Sequence, residues 1–264
     1  MHLNCHHLTV HYKNRKALSA FNLQLNKGEI CTLIGPNGSG KSTALQTIAG
    51  LIKPDTGHVD LNTISLHSLP RRILARRLAF LPQNPAAPDE MKVAQLVRQG
   101  RFSHVGLWQA YQQKDEDAVQ WALQSTGLAG FGERFLNELS GGERQRAWIA
   151  AAIAQEAEVL LLDEPTSFLD IGYQAEVLDL VYKLSRERGT TIIMSIHDIN
   201  QAMAICDRIT LLKAGQQIFN GTPYRLAQSR LIEETFRIKG KFVSIRADAP
   251  PHFDVDWLNH SLKM

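Results

Sequence analysis

Residues 35–43 read Gly35-Pro36-Asn37-Gly38-Ser39-Gly40-Lys41-Ser42-Thr43 and match the phosphate-loop pattern G-x-x-x-x-G-K-[ST]. The apolar run Ile30–Ile34 before them predicts a buried parallel strand. Residues 43–50 after them predict a helix that stops at a glycine. A loop between a strand and a helix N-terminus can surround phosphate oxygens with backbone N–H groups. In this context the motif indicates a nucleotide-phosphate site rather than an incidental glycine-rich turn.

The residue types of this loop suit the chemistry of a nucleoside triphosphate. Glycines at 35, 38 and 40 allow the backbone to curl around phosphates without Cβ clashes. Lys41 is expected to neutralise the β- and γ-phosphates, and Ser42 to hold Mg²⁺. ATP and Mg²⁺ are therefore the predicted ligands. Contacts with ATP are expected from Gly35, Pro36, Asn37, Gly38, Ser39, Gly40, Lys41, Ser42 and Thr43.

A second apolar run, Val159–Leu162, leads into Asp163-Glu164-Pro165 and predicts a strand buried on both faces. Ligands of open α/β sheets gather at the carboxyl ends of strands, so these acids are expected near the phosphate loop. Adjacent residues leaving a strand point in different directions. Asp163 is therefore predicted to bind Mg²⁺, directly or through water, and Glu164 to act as general base for the attacking water. Without the phosphate loop, an ordinary acidic turn would be the better interpretation.

A third apolar run, residues 190–196, ends at His197 and predicts another strand with the same polarity. His197 is then expected at the same edge of the sheet, where it could hydrogen-bond the γ-phosphate. A structural hydrogen bond is the alternative role for a histidine at a strand end.

A second glycine motif, Leu139-Ser140-Gly141-Gly142-Glu143, precedes a helix predicted over 143–153. Ser140 is a favourable N-cap, and Glu143 three residues later completes a capping box. The glycines expose N–H groups at a helix N-terminus, which makes a second anion site. The apolar stripe on the same helix is interpreted as core rather than ligand contact. Its members are Trp148, Ile149 and Ile153.

These motifs, in this order along the chain, resemble the nucleotide-binding subunit of an ABC transporter. The resemblance covers residues 1 to about 240 and rests mainly on the phosphate loop together with the Leu139–Glu143 signature, a pair that other phosphate-loop ATPases lack. It implies a homodimer in which the signature of one copy grips the γ-phosphate of ATP held by the other. The signature residues are Ser140, Gly141, Gly142 and Glu143.

The same resemblance implies roles for further residues. Gln83, in Phe80-Leu81-Pro82-Gln83, matches the glutamine loop that contacts Mg²⁺ or water and faces the membrane partner. Tyr12 matches the aromatic residue that stacks on adenine, with packing on the core as the alternative. Asp170 matches the loop that crosses to the second subunit, where Phe168 replaces the family's usual small residue. Catalysis is thus assigned to Glu164, His197 and Gln83, and Mg²⁺ binding to Ser42, Gln83 and Asp163.

The implied fold class is α/β: a phosphate-loop, RecA-like ABC ATPase core with an antiparallel β subdomain and a helical subdomain that carries the signature. Residues 1–240 would form the ATPase domain and residues 241–264 a C-terminal tail. The helical subdomain is expected at about 86–155, with helices over 91–98 and 115–126. A strand is expected in the tail at 242–245.

Weaker signals concern the transported solute. Residues 97–101, 139–150, 178–189 and 197–200 resemble the ATPases of ferric-siderophore, haem and vitamin B12 importers. In such systems a binding protein delivers the solute to separate membrane permease subunits, and the ATPase works at the cytoplasmic face of the inner membrane. Because the solute never touches the ATPase, importers of zinc, manganese or molybdate remain alternatives. A soluble ABC ATPase acting on DNA or ribosomes is the rival class, but it would usually carry a second nucleotide domain or a long coiled-coil insertion.

The composition agrees with these expectations. Lys and Arg total 29 against 26 Asp and Glu, a net charge of +3, which argues against a nucleic-acid binder with a broad basic surface. The isolated cysteines Cys5, Cys31 and Cys206 suggest free thiols in a reducing cytosol. No apolar run approaches the length that spans a bilayer, so docking on separate membrane subunits is expected. Cys5-His6-His7 is interpreted as structural rather than metal-binding, because adjacent strand residues diverge and no second ligand cluster supports it.

Overall fold

Alternating buried strands and helices form two units, one of residues 1–67 with 193–264 (unit 1) and one of residues 68–192 (unit 2). The computed structural model describes residues 2–13, 15–105, 111–167, 169–244 and 250–257. The strands are β1 His2–Tyr12, β2 Arg15–Asn26, β3 Ile30–Ile34, β4 Thr56–Leu61, β5 Ile64–Ser65, β6 Leu78–Leu81, β7 Val159–Asp163, β8 Thr191–Ser195, β9 Arg208–Lys213, β10 Gln216–Gly221, β11 Gly240–Val243 and β12 His252–Val255. The helices are α1 Lys41–Ile48, α2 Arg71–Arg77, α3 Val93–Gln99, α4 Gln113–Ser125, α5 Gly141–Ala154, α6 Ile171–Arg188, α7 Ile199–Ile205, α8 Pro223–Ala227 and α9 Leu231–Phe236.

Unit 1 joins an antiparallel ladder to a parallel strand pair. Its strands follow the order β5-β4-β1-β2-β10-β9-β3. β1 is antiparallel to both β2 and β4, whereas β3 is parallel to β9. Every residue of β3 is buried, as its unbroken apolar run predicted. The antiparallel strands β1, β2, β4 and β5 match the β subdomain expected from the resemblance.

Unit 1 ends in a small hairpin, in which β11 and β12 pair antiparallel. Asn200 in α7 fixes this hairpin, because the backbone N–H of Phe253 donates to Asn200 Oδ1 at 2.7 Å and Asn200 Nδ2 donates to the carbonyl of Phe253 at 3.2 Å. The strand expected at 242–245 is therefore found at Gly240–Val243, paired within a hairpin, and Ile245 lies outside the described residues.

Unit 2 combines parallel strands with a helical region. β6 and β7 run parallel in a register from Leu78 opposite Val159 to Leu81 opposite Leu162. The helices α3, α4 and α5 pack on one another within the segment where a helical subdomain is expected. Arg101 is buried among them, where it donates to Asp115 at 3.0 Å and to the carbonyl of Ala154 at 2.8 Å. A buried guanidinium needs such partners, so this ion pair fixes the end of α3 against α4 and α5.

The predicted elements exist, with shifted bounds. α1 begins at Lys41 rather than Thr43, because the phosphate loop leads directly into the first turn. The predicted core stripe is confirmed for Ile149 and Ile153, which are buried. It is wrong for Trp148, which is only half-buried, because it borders a surface pocket with Pro85, Leu136 and neighbouring residues.

The cysteines are free thiols, as predicted. Burial raises the pKa of Cys206 to about 12 and raises the pKa of the fully buried Cys5 and Cys31 still further above the usual range. Among the residues that the structure describes, no helix is long and apolar enough to cross a membrane.

Candidate nucleotide-binding site

The phosphate loop lies between β3 and α1, as its sequence predicted. Lys41 is buried, and its Nζ donates to the carbonyl of Gly35 at 2.8 Å and to that of Pro36 at 3.4 Å. The lysine side chain therefore folds back over the loop. Its ammonium group therefore lies close to the backbone N–H groups that a triphosphate would contact.

Two glycines of this loop are required by close backbone contacts. Gly35 has a φ of 147°, and a Cβ there would lie 2.1 Å from the carbonyl oxygen of Leu212. Gly40 has a φ of 107°, and its Cβ would lie 2.6 Å from the carbonyl oxygen of Ala17. At both positions the backbone has a positive φ, and any Cβ would clash with a carbonyl oxygen of a neighbouring strand or loop.

The start of α1 has the features of an anion site. Gly40 occupies the N-cap, so no side chain caps the helix N–H groups. The buried hydroxyl of Ser39 has no hydrogen-bond partner among the described residues. Uncapped N–H groups and a buried hydroxyl together offer donors for phosphate oxygens at a helix N-terminus.

His197 reaches the same edge of unit 1 as the phosphate loop. The N–H of Ile196 donates to the carbonyl of Leu33 in β3 at 3.2 Å. Ile196 directly precedes His197, and Leu33 lies two residues before Gly35, where the phosphate loop begins. The His197 side chain is exposed at this point. Asp198 then caps α7 by accepting from the N–H groups of Asn200 and Gln201, at 2.7 and 3.0 Å. The predicted proximity of the histidine and the phosphate loop is present within unit 1.

Arg15 is a residue of this site that sequence reasoning missed. Tyr12 ends β1 directly opposite Arg15, the first residue of β2. Tyr12 is 48% exposed and therefore does not belong to the buried core. Arg15 Nη2 donates to the carbonyl of Gly38 at 3.1 Å. Only the strand register brings this guanidinium to the phosphate loop, and no local sequence motif signals it.

Unit 2 brings together the predicted glutamine and glutamate. Because Leu81 and Leu162 are paired, the residues after them leave the sheet side by side. Gln83 Nε2 donates to Glu164 Oε2 at 2.5 Å, and Ser167 Oγ lies 3.3 Å from the same oxygen. The Glu164 carboxylate is thereby held by an amide on one side and a hydroxyl on the other.

Asp163 and Glu164 occupy unusual surroundings for acids. They are only 2% and 8% exposed, respectively, at the carboxyl end of β7. Glu164 also has a φ of 54°, a left-handed conformation that residues other than glycine rarely adopt. Backbone strain of this kind is found at sites where geometry matters more than stability.

The signature motif forms the capping box that its sequence predicted. Ser140 Oγ accepts from the N–H of Glu143 at 3.3 Å, and the N–H of Ser140 donates to Glu143 Oε2 at 2.8 Å. The backbone N–H and then the hydroxyl of Ser140 hold the pKa of Glu143 below its usual range. A Cβ on Gly141 would meet nothing within 4 Å, whereas one on Gly142 would lie 3.3 Å from Leu169 Cδ2. The first glycine therefore presents an open surface, and the second packs against its own chain.

Asp170 is the N-cap of α6, where its Oδ1 accepts from the N–H of Tyr173 at 3.0 Å. The structure thus gives this residue a local role in addition to the predicted contact with a second subunit. Phe168, at which the sequence departs from the usual family pattern, lies outside the described residues.

The family model described as "ABC transporter" matches residues 18–167, a segment that contains the phosphate loop, the signature and the acidic pair. The chain therefore belongs to the ABC transporter family and is an ABC-type ATPase. This finding confirms the resemblance inferred from the motifs, and with it the predicted fold class.

Particular relatives are similar over most of their length. The petrobactin import ATP-binding protein FpuD of Bacillus anthracis is 42% identical over 88% of this chain and 85% of its own. The iron(3+)-hydroxamate import ATP-binding protein FhuC of Bacillus subtilis (strain 168) is 40% identical over 92% of this chain and 90% of its own.

Solved structures give the same assignment. A putative metal-chelate type ABC transporter in an inward-facing conformation superimposes with a TM-score of 0.84 at 28% identity, covering 98% of both chains. The dimeric bacterial ABC transporter cassette MJ0796 superimposes with a TM-score of 0.76 at 30% identity, covering 83% of this chain and 98% of that one.

Replacing Arg15 by alanine should weaken ATP binding roughly three- to tenfold, because the loop loses a charged hydrogen bond at Gly38 and a nearby positive charge. Titration with a fluorescent ATP analogue measures the change. Lys16→Ala removes the same charge from the neighbouring exposed position and should leave the affinity close to that of the unmodified chain. Equal losses in the two variants would show that Arg15 contributes only net charge.

Proposed function

We propose that this chain is the ATP-hydrolysing subunit of an importer for an iron chelate, that is a ferric siderophore, haem or a corrinoid. One observation carries the proposal: identities of about 40% extend over more than four fifths of both chains in relatives named for petrobactin and iron(3+)-hydroxamate import. The site residues in both units agree with ATP hydrolysis, which such an importer requires.

The contacts of the site suggest how the chain's residues divide the reaction. Lys41 would exchange its loop carbonyls for the oxygens of the β- and γ-phosphates. Glu164 would take a proton from the water that attacks the γ-phosphate, with Gln83 holding the carboxylate in position. His197, next to the phosphate loop in unit 1, would donate a hydrogen bond to the γ-phosphate. Each group would act from its position within its own unit, since phosphoryl transfer depends on the positioning of such groups.

The proposed Mg²⁺ ligands are chemically suited to that ion. Ser42, Gln83 and Asp163 offer hydroxyl, amide and carboxylate oxygens, the hard donors that Mg²⁺ prefers. When bound, the ion would neutralise charge on the β- and γ-phosphates. The buried Asp163 carboxylate is the ligand best placed to favour a cation, because burial strengthens its attraction to positive charge.

Glu164→Gln should retain ATP binding and lower steady-state hydrolysis on the order of a hundredfold or more, because an amide cannot accept the proton of the attacking water. Phosphate release measures hydrolysis, and nucleotide titration measures binding. Glu158→Gln changes an exposed acid just before the same strand and should leave turnover unchanged. Near-normal hydrolysis by Glu164→Gln would exclude Glu164 as the base.

We further propose that two copies of the chain enclose ATP, with residues 140–142 of each copy contacting the nucleotide of the other. The open surface at Gly141, in the first turn of α5, supports this arrangement. The membrane permease would seat such a dimer at the cytoplasmic face of the inner membrane, and a solute-binding protein would supply the chelate. No contact with nucleic acid is part of the proposal.

Gly141→Asp should leave folding and ATP binding by the single chain intact, since nothing lies within 4 Å of the added Cβ. The new carboxylate would repel the γ-phosphate of the partner's ATP, so ATP-driven dimerisation and hydrolysis should fail. Light scattering with the Glu164→Gln background measures dimerisation. Gln124→Glu adds the same charge on the exposed face of α4 and should dimerise normally. Loss of ATP binding with dimerisation retained would contradict the shared site.

Deletion of the gene should abolish growth on an iron chelate as sole iron source. A plasmid copy should restore growth only when Lys41 and Glu164 are intact. Uptake of labelled ferric siderophore, haem and vitamin B12 separates the proposed solutes. Normal uptake of all three, with a defect for zinc, manganese or molybdate, would overturn the solute assignment and leave the ATPase assignment in place. Loss of a DNA or ribosome function alone would point to the rival soluble class.

A further inference from the structure

A cluster of two imidazoles and a carboxylate lies on the antiparallel ladder of unit 1, among residues that nucleotide binding does not use. Its members are His6 in β1 and His58 and Asp60 in β4. His6 Nε2 lies 3.7 Å from Asp60 Oδ2, and His58 Nε2 lies 3.3 Å from the same oxygen. The two imidazole rings stack with centroids 4.6 Å apart. One ligand atom from each residue lies within 4.8 Å of the others.

Strand register explains why these three side chains meet. His6 is directly opposite His58 in the β1–β4 ladder, so both project from the same face. Asp60 lies two residues beyond His58 on β4 and therefore shares that face. His7 is adjacent to His6 but is not part of the cluster. Its backbone N–H donates to Asn22 Oδ1 at 2.9 Å, and its Nδ1 lies 3.3 Å from Asn22 Nδ2.

A local irregularity holds the cluster in place. The register of β1 and β4 shifts immediately after His6, where His7 adopts a φ of 47°. Gly57 fits against this bulge, since a Cβ there would lie 2.2 Å from the carbonyl oxygen of His6. The backbone carrying His6 and His58 is thus fixed by close contact rather than by the side chains themselves. A site whose ligands are placed in advance loses less entropy on binding.

The geometry points to a binding site for a divalent transition-metal cation of the zinc type, with His6, His58 and Asp60 as its protein ligands. Metal–ligand bonds of about 2.0–2.2 Å require neighbouring ligand atoms about 3.3–3.6 Å apart in a tetrahedral site. The distances to Asp60 already fall close to that spacing. Imidazole nitrogens and a carboxylate suit zinc and its neighbours, whereas an all-oxygen set would suit magnesium. The imidazoles are about half exposed, so the metal can enter and keep water in its remaining positions.

Binding is tested on the full-length chain without nucleotide, with Zn²⁺ in calorimetry and Co²⁺ in absorption spectroscopy. One equivalent of metal should bind saturably, and the melting temperature should rise with metal concentration because the ion joins β1 to β4. His58→Gln and Asp60→Asn should each lower the affinity roughly tenfold or more, since loss of a second-shell partner alone costs about that much. Circular dichroism in EDTA confirms that each variant folds.

His11→Gln provides the matched control. His11 Nδ1, on β1, lies 2.8 Å from Oδ2 of Asp55, the residue before β4, but that pair offers one imidazole and one carboxylate rather than three ligands. The His11 variant should bind metal like the unmodified chain. Absence of saturable binding would overturn the proposal, as would full binding by folded His58→Gln or an equal loss in His11→Gln. These measurements do not involve ATP hydrolysis. They therefore test the metal site independently of the proposed function.

Discussion

Pairing between buried segments is the constraint on which the arrangement of the candidate site residues in each unit depends. In unit 1, the hydrogen bond from the N–H of Ile196 to the carbonyl of Leu33 aligns the ends of two segments. His197 and the phosphate loop therefore follow these segments at the same edge of the sheet. In unit 2, pairing of Leu81 with Leu162 does the same for Gln83 and Glu164. A register shift of one residue would turn each of these side chains to the other face. The buried strands therefore position the polar side chains that lie at their ends.

Burial imposes a free-energy cost on charged side chains in both units. Lys41, Asp163 and Glu164 are almost inaccessible to water, and desolvation of a charge is expensive unless hydrogen bonds compensate. Hydrogen bonds such as those from Lys41 to its loop carbonyls, and from Gln83 and Ser167 to Glu164, offset part of this cost.

The sequence was sufficient to predict candidate site residues wherever the site is built from residues that are neighbours along the chain. The phosphate loop, the acids after β7 and the capping box of Ser140 and Glu143 are all local patterns, and each forms as expected. The sequence was insufficient to predict contacts that depend on which residues of two strands lie opposite each other. Nothing near Arg15 in the sequence indicates its bond to Gly38. Likewise, the sequence around His6 predicts a structural role because it offers no second ligand cluster, and only the pairing with β4 supplies His58 and Asp60. Periodicity locates a strand but does not say which residue of another strand lies opposite.

Unit 2 also links the signature helix to the proposed base. Gln145 in α5 donates to the carbonyl of Pro165 at 3.3 Å, directly after Glu164. Farther along the same loop, Leu169 packs against Gly142 of the signature, and Gln174 in α6 donates to the carbonyl of Leu169 at 3.0 Å. The loop after the base is therefore held between α5 and α6. The two glycines of the signature therefore differ in packing: Gly141 is open, whereas Gly142 lies against Leu169 in the segment that follows Glu164.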